Sequence, residues 1–265
     1  MQYEGALTKM ETEFGNPIQY FMVFPNNFLH VNQLLNKEIE ISLIGYQCLN
    51  CAKKKKIFRQ GFCYDCFYSS ASAGNWILRP ELSTAHLGIA DRDLDFETRS
   101  QLQPHIVYLA LSGDVKVGVT RKTQVPTRWI DQGASEAVSV IEVPNRYLAG
   151  ITEVAFKAHF VDKTNWRKML QNEILTLDLL TEKARVYDFL PEEVKPFFNS
   201  DLNEHYTLNY PVLEHPKKVT GLNLDKTQVY KGKLIGVKGQ YLIFHDGKVF
   251  NVRAFEGYVV QISIS

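Results

Sequence analysis

Apolar and polar positions alternate in short runs over the first 46 residues, as in Ile39-Glu40-Ile41-Ser42-Leu43. A period of two puts alternate side chains on opposite faces of a strand, so residues 1–47 read as an N-terminal β module. From 69 to 103 that period is lost. Ser, Ala and Gly give way to a charged stretch, Asp91-Arg92-Asp93 to Arg99, and the segment reads as a connector. The pattern sharpens at 105. Ile106-Val107-Tyr108-Leu109-Ala110-Leu111 predicts a strand, Ser112-Gly113-Asp114 a turn, and Val115-Lys116-Val117-Gly118-Val119 the returning partner. A short helix is expected from Pro126 to just before Gly133, because proline suits a first turn. Glu136 to Val143 alternates like a third strand, and Pro144 ends it. Asn145 can cap a helix to about Val161, with Leu148, Ile151, Ala155 and Ala158 on one face. Leu170, Ile174 and Leu177 recur at helical spacing and predict a further helix over about 165–188. In residues 206–265 Tyr, Val, Ile and Phe dominate, and Gly232, Gly236, Gly239, Gly247 and Gly257 punctuate the runs. That predicts a barrel-like C-terminal β module. Whether it packs on the N-terminal strands is left open by the pattern. The expected class is α+β, with a central domain at 104–190 between small β modules.

Composition adds mainly exclusions. The 265 residues suffice for two or three compact units, and 45% hydrophobic with 22% charged is an ordinary globular mix. A net charge of +1 gives no global attraction to phosphate, so nucleic-acid binding has to come from local basic patches. Met1-Gln2-Tyr3-Glu4-Gly5 does not start a signal peptide, and no apolar run approaches the ~20 residues of a membrane span. A soluble, cytoplasmic protein without a membrane partner is the expectation.

All four cysteines fall between 48 and 66, as Cys48-x-x-Cys51 and Cys63-x-x-Cys66. Each pair can place two thiolates on one ion, and together they complete a tetrahedron without an open position, the form of structural Zn²⁺. Residues 48–68 are therefore expected to be a zinc ribbon. Ordinary buried thiols, a redox pair or an iron–sulfur cluster are the alternatives. Between the pairs lie Lys53, Lys54, Lys55, Lys56 and Arg59, which either follow a phosphate backbone or form a solvated charge run.

The central segment offers a second chemistry. Tyr108 and Lys116 can share a face of the hairpin, with Arg128 and Glu153 converging on it from helices. A carboxylate that holds a divalent ion, an arginine for phosphate charge and a phenol or amine for proton transfer suit phosphodiester cleavage. Each residue also has a plainer reading. Tyr108 can be core, Arg128 can pair with Asp131, Glu153 can pair with Lys157 at i+4, and Trp129 and Trp166 can be core or base-stacking side chains.

The segment resembles the GIY-YIG nuclease superfamily. Ile106-Val107-Tyr108 matches the first signature triplet and Lys116-Val117-Gly118 the second, with Ile106 in place of glycine and Lys116 in place of tyrosine. The resemblance implies that Arg128 supplies the arginine, Glu153 the metal-binding glutamate and Asn165 the later asparagine, with His159 following the glutamate. Over its full length the chain also resembles a bacterial family known as domain of unknown function 2797. It does so through the cysteine ribbon and the runs His105 to Ala110, Lys116 to Arg121, Pro126 to Ala134, Asp162 to Arg167 and Lys238 to Ile243. The expectation is a Mg²⁺- or Mn²⁺-dependent endonuclease with Tyr108, Lys116, Arg128, Glu153, His159 and Asn165 in the catalytic set. Glu153 would hold the ion, Arg121 would assist on phosphate, and DNA is preferred to RNA as substrate. An inactive nucleic-acid-binding protein on the same scaffold and a protein–protein adaptor are the competing classes.

Overall fold

The computed structural model describes residues 1–161, 164–202 and 204–265. Asp162 and Lys163 of the motif quoted above lie outside them. Two units emerge, Met1–Ser69 with Leu208–Ser265, and Ser70–Thr207. The first begins with β1 (Gln2–Ala6), β2 (Glu11–Glu13), β3 (Gln19–Phe24), β4 (Asn27–His30), β5 (Glu38–Tyr46) and α1 (Tyr64–Ser69). The second holds α2 (Leu94–Gln101), β6 (His105–Ser112), β7 (Asp114–Arg121), α3 (Thr127–Asp131), β8 (Glu136–Val143), α4 (Arg146–Phe156), α5 (Trp166–Gln171), α6 (Leu179–Arg185) and β9 (His205–Thr207). The chain then returns to the first unit through β10 (Thr220–Gly221), β11 (Val229–Lys238), β12 (Tyr241–Phe244), β13 (Lys248–Asn251) and β14 (Tyr258–Ile264). Among the described residues no helix is long and apolar enough to cross a membrane.

In the first unit the strand order is β1-β14-β5-β11-β12-β13-β10, beside a small β2-β3-β4 sheet. The barrel expected of residues 206–265 is not there. β14 pairs with β1 on one side and β5 on the other, and β11 also pairs with β5. N-terminal strands thus take the edges the C-terminal strands would need to close on themselves, and the sheet runs on open. The alternation read at 39–43 is β5, in which Ile39 and Ile41 are buried and Glu40 is not.

The second unit is built on an antiparallel sheet of order β7-β6-β8-β9. Every residue of β6 is buried, because it has a strand on each side and packing on both faces. Val107, Leu109 and Leu111 pack with Ala149 and Phe156 of α4 and Leu179 of α6. Tyr108, on the alternate face, meets Trp129 of α3, whose ring in turn meets Tyr206. Gly113 turns the hairpin at φ +91°, a conformation that suits glycine.

The helices are shorter than their periodicity suggests. α4 is capped by Asn145 as expected but ends at Phe156. The long helix over 165–188 is two short ones, because Asn172 turns left-handed at φ 58° and stops α5. The connector, by contrast, contains α2. Asp93 caps it, accepting from the Phe96 amide at 2.9 Å. The buried Glu97 carboxylate accepts from the amides of Asp91, Arg92 and Asp93, which closes the loop before the helix.

Candidate functional site

The two Cys-x-x-Cys turns meet in the first unit. β5 delivers Cys48, and Ala52 follows Cys51 in a left-handed conformation, its amide bonded to the Cys48 carbonyl at 2.9 Å. The chain returns through the Arg59–Phe62 bridge to Cys63, and Cys66 lies in the first turn of α1. All four sulfurs lie within 4.8 Å of one another, and none is in a disulfide. A tetrahedron with metal–sulfur bonds of ~2.3 Å has edges just under ~4 Å, so little movement separates these thiols from a closed four-sulfur site. The surroundings suit thiolates. Cys48 Sγ accepts from the Cys63 amide at 3.3 Å, and Cys66 Sγ from Asn50 Nδ2 at 3.4 Å. Burial alone would raise the Cys48 thiol, but the amides of Cys51, Cys63 and Asn50 outweigh it and bring it down to about 6. Asn50 helps the Cys66 thiolate too, yet burial and the sulfurs of Cys63, Cys51 and Cys48 push it up to about 12. Four sulfurs this close resist joint ionisation unless a cation offsets their charge. The set Cys48, Cys51, Cys63 and Cys66 could hold a zinc ion.

The basic residues predicted beside this centre are on its surface. Lys53, Lys54, Lys55, Lys56 and Arg59 are all exposed, and Lys55 Nζ lies 2.6 Å from Asp65. Arg121 belongs to the second unit, at the end of β7.

In the second unit, strand register puts Tyr108 opposite Gly118 and Ala110 opposite Lys116, so Tyr108 and Lys116 share a face as expected. Tyr108 is fully buried, and its hydroxyl lies where a Cβ on Gly118 would be, only 2.5 Å away. Gln132 Nε2 donates to Tyr108 Oη at 2.6 Å. Burial raises the phenol, the charge of Arg128 opposes this, and the charge of Glu153 adds to it. Tyr108 therefore feels both Arg128 on α3 and Glu153 on α4. Burial also raises the Glu153 carboxyl, against the pull of Lys157, Lys116 and Arg146, while Glu81 reinforces the rise. The plainer partner of Glu153 is real but loose, with Lys157 Nζ at 3.7 Å from its Oε2. Lys116 is almost wholly buried, with Nζ 3.5 Å from Thr164 Oγ1.

The last two predicted residues are engaged elsewhere. His159 lies beyond the end of α4 and stacks on Phe189 at 3.6 Å between ring centroids. Asn165 caps α5, accepting from the amides of Arg167 and Lys168. Trp129 is core, with no exposed surface.

Sequence reasoning missed Arg146. It donates to the carbonyls of Trp76 and Ile77 at 3.1 and 2.8 Å, and its guanidinium lies 5.4 Å from the Trp76 ring centroid. Burial brings it down to about 10, the charge of Glu153 supports its ionised form, and Arg128 and Arg121 oppose it. The available signal was its place in the first turn of α4, where the helix dipole disfavours a cation. Lys157, Lys116 and Arg146 thus act on Glu153, and Arg128 and Arg121 on Arg146, so cations outnumber the carboxylates Glu153 and Glu81 among these interacting groups, a balance suited to an anion.

No curated protein and no solved structure matches the chain. A comparison with protein families matches residues 36–260, across both units, to the family described as "Protein of unknown function (DUF2797)". The chain belongs to that family.

Proposed function

We propose that the second unit is a divalent-metal-dependent endonuclease on a GIY-YIG-like scaffold, cleaving phosphodiester bonds in DNA, in a chain whose four-cysteine centre carries structural zinc. What carries this reading is that Tyr108 and Lys116 share a face of the sheet, with the charges of Arg128 and Glu153 acting on Tyr108 and that of Lys116 acting on Glu153. The antiparallel hairpin with a third strand on its first member, followed by the helix bearing Glu153, agrees with it. Glu153 would hold Mg²⁺ or Mn²⁺, which would supply Lewis-acid activation of the phosphate; a single carboxylate is a usual protein contribution to such a site. Arg128 and Arg146 would neutralise the phosphate charge from partly buried positions, where such contacts are stronger than in open water. Tyr108 holds its proton, and Gln132 orients the hydroxyl by donating to it. In this reading Lys116 stands near the scissile group, at the position where the GIY-YIG signature has a tyrosine.

The test is incubation of the purified protein with single- and double-stranded DNA and RNA in Mg²⁺ or Mn²⁺. Cleavage is expected, reduced at least about 100-fold by Glu153→Ala or Arg128→Ala. Absence of cleavage, or equal cleavage by Glu153→Ala, removes the enzyme. The complete burial of Tyr108 and the lysine beside Glu153 favour a second reading, a nucleic-acid-binding protein without turnover. Salt-sensitive binding without hydrolysis, unchanged by Glu153→Ala, identifies that one.

A further inference from the structure

Three large aromatic side chains beside the cysteine centre are exposed instead of buried. Phe58 is 40% exposed, Tyr64 61% and Tyr68 56%. They form one patch. Tyr64 and Tyr68, four residues apart on α1, have ring centroids 4.8 Å apart, and Phe58 lies 5.2 Å from Tyr64 and 5.9 Å from Tyr68. Phe67 supports them from beneath, half-buried, at 5.3 Å from Phe58 and 5.4 Å from Tyr68. The Arg59 guanidinium is 5.4 Å from the Phe58 ring centroid. The same loop that carries Phe58 and Arg59 carries Lys53 to Lys56, and the nearby Asp65 is paired with Lys55. A patch of exposed rings, tilted to one another by 35–70°, next to a run of cations has two complementary features, exposed aromatic surface and positive charge on the adjoining loop.

We propose that this face of the cysteine module binds unpaired nucleotides, with bases stacked on Tyr64, Tyr68 and Phe58 and their phosphates along Lys53, Lys54, Lys56 and Arg59. Every base has a π-face, so such a platform is tolerant of sequence. A duplex already stacks its bases on one another and offers the rings only its backbone, so single strands are the ligand. The inference rests on the nucleic-acid reading above only for the kind of ligand, not for the chemistry at Glu153.

The experiment is fluorescence anisotropy of the full, zinc-loaded chain, without added Mg²⁺ or Mn²⁺, on labelled oligothymidine, oligouridine and duplex DNA of about fifteen units, near a platform's usual site size. Single strands are expected to bind more tightly than duplex, and the thymidine and uridine arms tell DNA from RNA. Tyr64→Ala with Tyr68→Ala should weaken single-strand binding at least about tenfold at unchanged zinc content. Tyr64→Phe with Tyr68→Phe should retain it, because the ring face is what binds. Lys53→Ala with Lys54→Ala should weaken it and lower the salt slope by about 1.4. If the double alanine variant loses its metal, Tyr64→Ala alone decides, with at least about fivefold weakening expected. The proposal is overturned if no oligonucleotide binds, if duplex binds as well as single strand, or if the alanine variants that keep zinc bind like the parent. Binding that survives Glu153→Ala while cleavage is absent removes only the nuclease. Glu153-dependent cleavage with tyrosine variants binding normally removes only the platform.

Discussion

His105 opens β6 with Nδ1 donating to the Gln103 carbonyl at 2.7 Å, while its buried Nε2 has no hydrogen-bond partner among the described residues. Burial, with the charges of Arg146 and Arg121, brings it down to about 4 although the Gln103 carbonyl favours the cation. The unfolded chain takes up this proton near pH 6.5 and the folded one only near 4, so the unfolded state binds more protons in between. Stability from this residue is complete above pH ~6.5 and is lost as the pH falls toward 4, by at most about 3 kcal/mol. Urea unfolding at stepped pH should show this slope in the parent and a flatter one in His105→Gln. Equal slopes would mean the imidazole is solvated. A neighbouring position tests the packing of Tyr108. Gly118→Ala places a methyl 2.5 Å from the phenol oxygen and 2.6 Å from Cζ, so the ring must leave its place. A loss of about 1–3 kcal/mol is expected in chemical denaturation, and a neutral result would show that the phenol has room to swing aside.

At the level of elements, α4 passes very close to the turn at Pro80–Leu82. A Cβ on Gly150 would lie 2.2 Å from the Glu81 amide nitrogen and 2.4 Å from the Pro80 carbonyl carbon, both rigid backbone. Gly150→Ala should therefore destabilise by several kcal/mol, although alanine is intrinsically the better helix former by about 1 kcal/mol. A higher melting temperature in that variant would show that helix and turn do not touch. This contact was not legible beforehand, because residues 80–82 carry no periodicity of their own and their role comes from what they pack against. Strands β6, β7 and β8 were legible because each is an apolar or alternating run, with Gly113 separating the first two and Pro144 ending the third. The helix ends were not. Ala158 continues the apolar stripe of α4, yet the chain leaves the helix at Phe156, so that Val161 can take its place in an isolated bridge beside Lys116. The clustering of the four cysteines was legible from spacing, while Arg146 could be suspected only from its first-turn position, since its partners Trp76 and Ile77 lie 70 and 69 residues away in the chain.

On the scale of the molecule, the seven-stranded sheet joins segments separated by 138 residues of intervening unit, Ser70–Thr207. Removing Tyr258–Ile264 takes a strand from between β1 and β5, so that truncation should unfold the first unit while a fragment of residues 70–207 keeps its circular dichroism and cooperative melting. A folded first unit in the truncated protein would contradict the pairing. Metal supplies a second handle. Cys48→Ser or prolonged chelation should remove zinc and lower the melting temperature of the first unit by several degrees or more, since metal affinity is folding energy in such sites. Unchanged melting after complete removal would make the thiol cluster incidental.

The placement of β14 also sets an order of events during synthesis. Its partners β1 and β5 leave the ribosome early, but the strand that belongs between them follows only after the entire second unit has been made. At usual elongation rates that is a wait of roughly ten seconds or longer. Throughout that interval two pairing edges stand bare, which makes the half-finished sheet the stage of this protein's life most in need of a chaperone.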